Sequence, residues 1–308
     1  MVLVKKTYNG DPSEIVQSFP KLSLQLLCCR LWWLRNWEHR ELSYPYWRIY
    51  YNRQPGASII HEGQTIALNP DTIYLISPNT RYASQLYHHD IPKDGHLING
   101  GRIAIITPEE QRLIREQRAI EHLFIHFTIG FPYDTIAPMI YSFPINDHFQ
   151  KQLDNISSYF REDKNEIDIH IYLTLHTLIS EMLLKIDPHH WEQITSDIRV
   201  SKVIKHIEQH ITDDLSNKRM AELACMATNS FSFLFKKEVH MSLQYFVKKK
   251  RINTSCLLLL HSDLSIDEIA ERTGFSNRYH FSRVFHEVTN NTPAQYRKEY
   301  VLSPTLQF

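Results

Sequence analysis

No apolar run in this chain approaches the ~18 residues that a membrane-crossing helix requires. Its first residues also lack the charged-then-apolar pattern of a secretory signal segment. A cytoplasmic protein is the expectation. Cysteine is scarce: of the four, Cys28 and Cys29 are adjacent, and Cys225 and Cys256 stand singly in helical patterns. That distribution excludes a disulfide framework and agrees with a reducing compartment. Net charge is absent as well, with 34 Lys+Arg against 34 Asp+Glu. The balance is uneven along the chain, however. From Asp197 onward there are 16 basic and 12 acidic residues, a net of +4, which leaves 18 against 22, or −4, before it. A basic tail on an acidic body fits a nucleic-acid module joined to a part that does not touch DNA.

What is present is a length of 308 residues and a 43% hydrophobic content, enough for two cored domains. From about Lys21 to Pro144 the chain is rich in aromatic and β-branched residues with turn residues at short intervals. YWRIYY, ASIIH, QTIAL and TIYLIS read as strands separated by turns at Asn52 to Gly56, Glu62-Gly63, Asn69 to Asp71 and Pro78-Asn79. EHLFIHFTIGF reads as a further strand. Several short strands of this kind suggest a β-barrel or sandwich. Leu27 to Trp37 (LCCRLWWLRNW) is compatible with either helix or strand, and Pro108 to Ala119 has helical composition, acids first and bases last.

After Asp147 the periodicity becomes helical. Asp168 to Ile186 sets Ile171, Leu175, Leu178, Met182 and Ile186 along one face, with a second apolar side through Leu173, Ile179 and Leu183. Such a helix packs on its own domain, forms a dimer seam, or does both. Asp187-Pro188 ends it, and His189 to Ser196 reads as a linker.

Two helix-turn-helix patterns about fifty residues apart occupy the tail. Ala221-Glu222 aligns with Ala270-Glu271; after a one-residue insertion, Phe231-Ser232 aligns with Phe281-Ser282 and Phe235 with Phe285. In the second unit Ser265 and Glu268 form a capping box, Gly274 supplies the positive-φ turn, and Ser276 is expected to cap the next helix. Phe281, Val284, Phe285 and Val288 make its buried stripe, leaving Arg278, Tyr279, Ser282 and Arg283 for base edges, where arginine pairs bidentately with guanine. In the first unit Phe231, Leu234, Phe235 and Val239 are the stripe. Asn229, Ser230, Ser232 and Phe233 are left for the groove, with Lys236 and Lys237 for phosphates. Leu243 to His261, without Gly or Pro, reads as one helix about 28 Å long at ~1.5 Å per residue. It holds the two readers for successive major grooves, whose repeat is ~34 Å. In its basic run, Lys248 to Arg251, at least one residue is expected on phosphate, while Arg251 is a candidate for an internal pair.

The residues Ala221, Phe235-Lys236, Arg251, Ile266 to Ala270, Gly274-Phe275, Phe281 to Phe285, Thr292-Pro293 and Tyr296-Arg297 form a spaced series. In these the segment from about Ile198 to Tyr300 resembles the DNA-binding domain of AraC/XylS-type transcription regulators. Three features depart from that pattern. Ala227 stands in place of a serine cap, so Thr228 or Asn229 is expected to take over. His240 and Asn290 replace glycines, and Phe233 stands where a base-reading arginine is common.

The resemblance implies an α+β chain in three parts: a cupin-like effector-binding β-barrel over 1–146, a helical dimerisation and linker segment over 147–196, and an all-α domain of two helix-turn-helix motifs joined by a long helix over 197–308. It further implies promoter DNA, RNA polymerase and a second copy of the chain as partners, a small-molecule effector such as a sugar or metabolite, activation as the commoner mode, and no cofactor. Gly63 to Ser84 carries the resemblance in the N-terminal part.

A cupin-type metal enzyme or a sugar-binding protein with a helical interaction tail is the alternative. The cupin metal signature needs an H-x-H pair followed by Glu, and despite 18 histidines no such pair occurs. His122 and His126, on a strand, lie roughly 13 Å apart at ~3.3 Å per residue, too far for one ion. No metal site is therefore expected. For a ligand pocket the candidates are the aromatics Trp47, Tyr50 and Tyr74, with Arg81, His122 and His126 as polar groups.

Overall fold

The computed structural model describes residues 22–300 apart from 94–95, 104–107, 109–111, 113–115, 117, 131–132, 163–165, 192–196 and 290. The helix expected at Pro108 to Ala119 falls mostly outside the described residues, as does Asn290. Among the described residues no helix is long and apolar enough to cross a membrane.

Nine strands form one antiparallel sheet: β1 (Gln25–Leu42), β2 (Trp47–Asn52), β3 (Ala57–His61), β4 (Gln64–Ala67), β5 (Thr72–Ile76), β6 (Tyr82–Leu86), β7 (His96–Arg102), β8 (Ile120–Thr128) and β9 (Ile140–Pro144). The order is β4-β3-β6-β1-β8-β2-β5-β9, with β7 also on β1. Among the described residues β4 and β9 end the path without pairing to each other, so the barrel expected from the strand pattern is a curled half-barrel.

The ambiguous segment Leu27 to Trp37 is strand. It lies inside the 18-residue β1, which serves β6, β7 and β8 in turn and shifts register between Leu26 and Cys28, Leu34 and Asn36, and His39 and Leu42. Each irregularity adds bend and twist, which curls the sheet. Both faces of β1 are covered. Cys29, Leu31 and Trp33 face the outer cluster, and Leu34 and Trp37 the inner one. A strand buried on both faces loses the polar alternation that would distinguish it from a buried helix.

Two helices back the outer face. Helix α1 (Asp147–Arg161) starts at Asn146, whose side chain accepts from Phe149 N; α2 (Ile169–Leu184) starts at Asp168, which accepts from His170 N and Ile171 N. Ile171, Leu175, Leu178, Ile179 and Met182 of α2 are buried with Phe149, Leu153 and Ile156 of α1 and with the sheet residues Ile49, Leu75 and Ile125. The first apolar face of α2 thus packs on its own domain, as do Ile179 and, half-buried, Leu183 of the second side. A stripe through Ile169 (62% exposed), Leu173 (54%) and Leu184 (82%) stays outside.

The rest is helical: α3 (Ile198–Gln209), α4 (Asn217–Leu223), α5 (Thr228–Val239), α6 (Leu243–His261), α7 (Ile266–Arg272), α8 (Arg278–Thr289) and α9 (Pro293–Tyr300). It has two cores. Val203, Ile207, Met220, Phe231 and Phe235 gather around Leu243, Phe246 and Val247 at the start of α6. Ile269, Phe275, Phe281, Phe285 and Tyr296 gather around Ile252, Cys256 and Leu259 at its end. One unbroken helix is therefore a wall of both.

Candidate functional site

The two helix-turn-helix units are α4-turn-α5 and α7-turn-α8. Ser265 and Glu268 form the expected capping box, with Glu268 N on Ser265 Oγ at 3.2 Å and Ser265 N on the Glu268 carboxylate at 2.8 Å. Gly274 has φ +77, and a Cβ there would lie 2.7 Å from Ile211 O and 2.8 Å from the Arg251 guanidinium. Glycine is required at this turn for both conformation and space. Two capping expectations are corrected. Asn277, not Ser276, caps α8 by accepting from His280 N at 2.8 Å. Ala227 is the N-cap of α5 with no side-chain hydrogen bond, so neither Thr228 nor Asn229 replaces the missing serine. His240 does adopt the left-handed conformation of the glycine it replaces, at φ 58.

On α8, Phe281, Val284 and Phe285 point inward, while Arg278, Tyr279 and Arg283 are exposed, Tyr279 by 86%. Val288, expected in the buried stripe, is 37% exposed at the end of the helix. Arg278 reaches Asp267 at 3.2 Å, an exposed pair that DNA is free to displace. On α5, Phe231 and Phe235 are inside; Asn229, Ser230, Lys236 and Lys237 are exposed, and Phe233 by 75%. Phe233 and Arg283 occupy equivalent positions, two residues beyond the paired Phe231 and Phe281. Ser232 and Ser282 are only half-exposed, and Ser232 Oγ accepts from Asn217 Nδ2 at 3.3 Å.

Two lysines of the basic run of α6 have acidic partners. Lys248 pairs with Glu287 at 2.7 Å and Lys250 with Glu208 at 2.6 Å. Arg251 donates to Ile211 O and Asp213 O, both at 3.1 Å. These contacts tie α6 to α3, to the turn after it and to α8, so the run fixes the spacing of the readers. Arg251 turns inward, but onto backbone carbonyls, where an internal ion pair was one of the two readings of it.

Inside the curled sheet lies a cavity of about 90 Å³. Of the six ligand candidates, Tyr50, His122 and His126 line it. The other three do not. Trp47 points to the outer cluster and donates from Nε1 to Asp134 at 3.0 Å; Tyr74 is buried beside the cavity, its hydroxyl donating to Ala67 O at 2.6 Å; Arg81 is a surface residue 3.5 Å from Glu41. Trp47 and Tyr50 are three residues apart on one strand and so face opposite sides. The wall also has contributors that the candidate list missed: Arg30, Trp32, Trp37 and His39 of β1, Tyr44, Tyr46, Phe124 of β8, and Leu260 of α6. His122 Nδ1 donates to Asn52 Oδ1 at 2.6 Å. Burial holds His122 neutral, its pKa pushed down to about 3; burial and then the neighbouring His96 do the same for His39, also to about 3.

Arg48 was also missed, although it shares the parity of Tyr50. It is 0% exposed, donates to Tyr82 Oη at 2.8 Å and Thr80 O at 3.4 Å, and lies 4.6 Å from the centroid of Tyr44 and 4.9 Å from that of Tyr82. Tyr82 Oη in turn lies 2.7 Å from Tyr50 Oη.

The helix-turn-helix domain family matches residues 220–299. Over 103 residues the chain is 34% identical to the regulatory protein PocR of Salmonella typhimurium, covering 33% of this chain and 34% of that one. Over 109 residues it is 33% identical to an uncharacterized helix-turn-helix-type transcriptional regulator of Staphylococcus aureus, 35% of this chain and 15% of that protein. The match thus spans about a third of the first relative and less of the second. Among solved structures, ToxT from Vibrio cholerae overlays 91% of this chain and 100% of its own with a TM-score of 0.51 at 14% identity. ToxT with an unsaturated fatty acid bound gives 0.52 at 13%, over 93% and 98%. Over residues 220–299 the chain carries a helix-turn-helix domain, and that part is similar to the corresponding part of these transcriptional regulators. The ToxT likeness extends one fold, a curled antiparallel sheet followed by a helical domain, over nearly the whole length.

Proposed function

We propose that this chain is a cytoplasmic, sequence-specific transcription regulator that reads DNA with α5 and α8 and is controlled by a small molecule in the sheet cavity. Residues 1–146 would hold the effector, 147–196 the dimer seam and 197–308 the DNA. The observation that carries this is the pair of recognition helices, each with a buried Phe stripe and an exposed polar face, mounted at opposite ends of one helix. Arg278, Tyr279 and Arg283 on α8, and Asn229, Ser230 and Phe233 on α5, meet base edges. Lys236 and Lys237 meet phosphates, and Ser282 and Ser232 sit at the rim. Phe233 offers apolar contact to a thymine methyl where Arg283 offers two donors to guanine.

The proposed mode is recruitment of RNA polymerase to a promoter, with no covalent chemistry. The alternative of a metal-dependent cupin enzyme has no ligand set among the described residues, where no group of three His, Cys, Asp or Glu side chains comes together to hold an ion.

Selection of bound sequences from random duplexes at fixed, near-physiological salt tests the reading. Enrichment of a site with two elements about one helical turn apart is the expected result. Binding without enrichment, falling steeply with salt, would reduce the domain to phosphate attraction and overturn the proposal. On the selected site, Arg283→Ala is expected to cost ~1–3 kcal/mol and to relax preference at one base pair. Unchanged affinity at matched salt would remove α8 from the interface.

The exposed stripe Ile169, Leu173 and Leu184 supports pairing of two chains through α2. Leu173→Glu is expected to convert a dimer into a monomer in sedimentation equilibrium, with tryptophan emission unchanged. A dimer that persists would move the seam elsewhere.

A further inference from the structure

Residues fifty apart hold equivalent places in the two units, since Phe231 matches Phe281 and Phe235 matches Phe285. Along the exposed face of α5 the order is Asn229, Phe233, Lys236, Lys237; along that of α8 it is Tyr279, Arg283, His286, Glu287. These positions fall at helical spacing, so each row runs from the N-terminal end of its helix, where base edges are met, toward the flanking backbone. The chemistry is exchanged between the rows. The first sets an apolar ring at the base position and two cations beyond it. The second sets a cation at the base position and a carboxylate beyond it. The whole units follow the same division. Residues 217–239 carry four basic and two acidic residues, net +2, and residues 266–289 carry three and four, net −1.

Glu287 thus stands where α5 has Lys237, on a face turned toward an array of phosphates. Lys248 of α6 reaches it at 2.7 Å, and Arg283, one turn before it, also acts on its charge. Both cations are partly neutralised on the protein itself. A phosphate beside α8 gains less from them than from Lys236 or Lys237, which have no acidic partner among the described residues. Arg283 gains most where it can make two directed bonds to a guanine edge. A repulsive group beside a reading residue penalises every sequence and is offset only at the right one, which raises discrimination without raising affinity.

On the reading that α5 and α8 both enter the major groove, we infer that the two readers divide the work. Helix α5 holds the duplex through phosphates and a pyrimidine methyl, α8 chooses the sequence through guanine, and Glu287 is the specificity-determining residue that keeps α8 from holding any duplex. The operator then has unlike halves and a single permitted orientation. Its salt dependence belongs to the α5 half, because each phosphate contact contributes about 0.9 to the slope of log affinity against log salt. Neutralising Glu287 releases Lys248 and Arg283 to any phosphate within reach, so affinity rises and selectivity falls.

The test uses the full chain, the selected duplex and a scrambled duplex of equal length, over a series of salt concentrations. Glu287→Gln is expected to bind the scrambled duplex about fivefold more tightly than wild type, with a salt slope steeper by about 1 and a smaller ratio between the two duplexes. Lys236→Gln combined with Lys237→Gln is expected to weaken both duplexes alike and to flatten both slopes by about 2. Uracil in place of thymine removes only the C5 methyl. In the α5 half it is expected to cost the wild type about threefold, and Phe233→Ala nothing. Glu287→Gln that weakens both duplexes, or leaves their ratio unchanged, overturns the role of Glu287. Lysine variants that alter the ratio and not the slope, or uracil that costs nothing, overturn the division. A selection that enriches no site brings down the reading of α5 and α8 itself, whereas an enriched site with halves that respond alike sinks only their division. Each substitution is at an exposed side chain, and the Lys248–Glu287 pair, being exposed, adds little stability. Amide exchange across α5 and α8 that matches wild type shows each variant folded.

Discussion

Phe281→Ala is expected to silence the second DNA reader while the first reader and the N-terminal sheet stay folded. Phe281 is 0% exposed and packed among Ile252, Ile269, Phe275, Phe285 and Tyr296. Removing a buried phenylalanine costs about 3–5 kcal/mol, a large share of what holds a small domain together. The first reader has its own cluster around Phe231 and Phe235, joined to the second through α6. All five tryptophans, at 32, 33, 37, 47 and 191, precede the DNA-binding domain, so their emission monitors the N-terminal part of the chain. The measurement is footprinting on the selected site together with amide exchange across α8. Protection that shrinks to the half read by α5, with fast exchange confined to α7 through α9, is the expected outcome. Loss of both halves together would mean that the two cores unfold as one unit.

The N-terminal sheet is expected to lose stability in acid. His39 and His122 have folded pKa values pushed down to about 3 from 6.5, chiefly by burial. Their contribution is complete above pH 6.5 and is lost as pH falls toward 3, because the unfolded chain binds protons that the folded chain refuses. Each costs up to about 1.4 kcal/mol per pH unit in that window. Asp134 acts in the opposite sense. Burial raises its carboxyl from 3.8 to about 6, so its protonation favours the folded state as pH falls from 6 to about 4. Together these groups leave a loss of about one histidine's worth per unit, roughly 1.4 kcal/mol. Urea midpoints followed by tryptophan emission from pH 8 to 4.5 check this. His122→Gln should flatten most of the decline, and an equal slope in wild type and variant would move the acid sensitivity to other groups.

The helix-turn-helix half was legible because its signals are local. Capping residues, the positive-φ glycine and Phe at helical spacing fix each element from its own residues, and Phe233 and Tyr279 stand exposed where the periodicity puts them. The errors there are ones that spacing cannot see. Ser276 and Asn277 are equally good caps on paper, and Ala227 stays a cap without a side-chain bond although Thr228 and Asn229 follow it. In the sheet, β3 has the bounds of ASIIH, and β2, β4, β5 and β8 were recognisable from aromatic and β-branched runs set between turn residues. Strand β7 was not, since HLINGGR has poor strand propensity. It forms because β1 offers an edge and because glycine fits: a Cβ on Gly100 would lie 2.4 Å from Trp33 O. The cavity was half legible. Which strand residues face inward depends on the bulges and the curl of β1, and its cap comes from a helix more than two hundred residues further on.

Helix α6 is a ruler shorter than what it measures. Its 19 residues span about 28 Å, whereas a straight duplex repeats its major groove every ~34 Å. Readers held apart by that length would favour DNA that curves toward the protein and brings its grooves closer. The base pairs midway between the two read elements then enter the affinity through stiffness alone. A pliable TA or CA step there lowers the cost of bending, and a rigid A-tract raises it. Part of the operator's sequence would then be selected by a length, at positions that no side chain reaches.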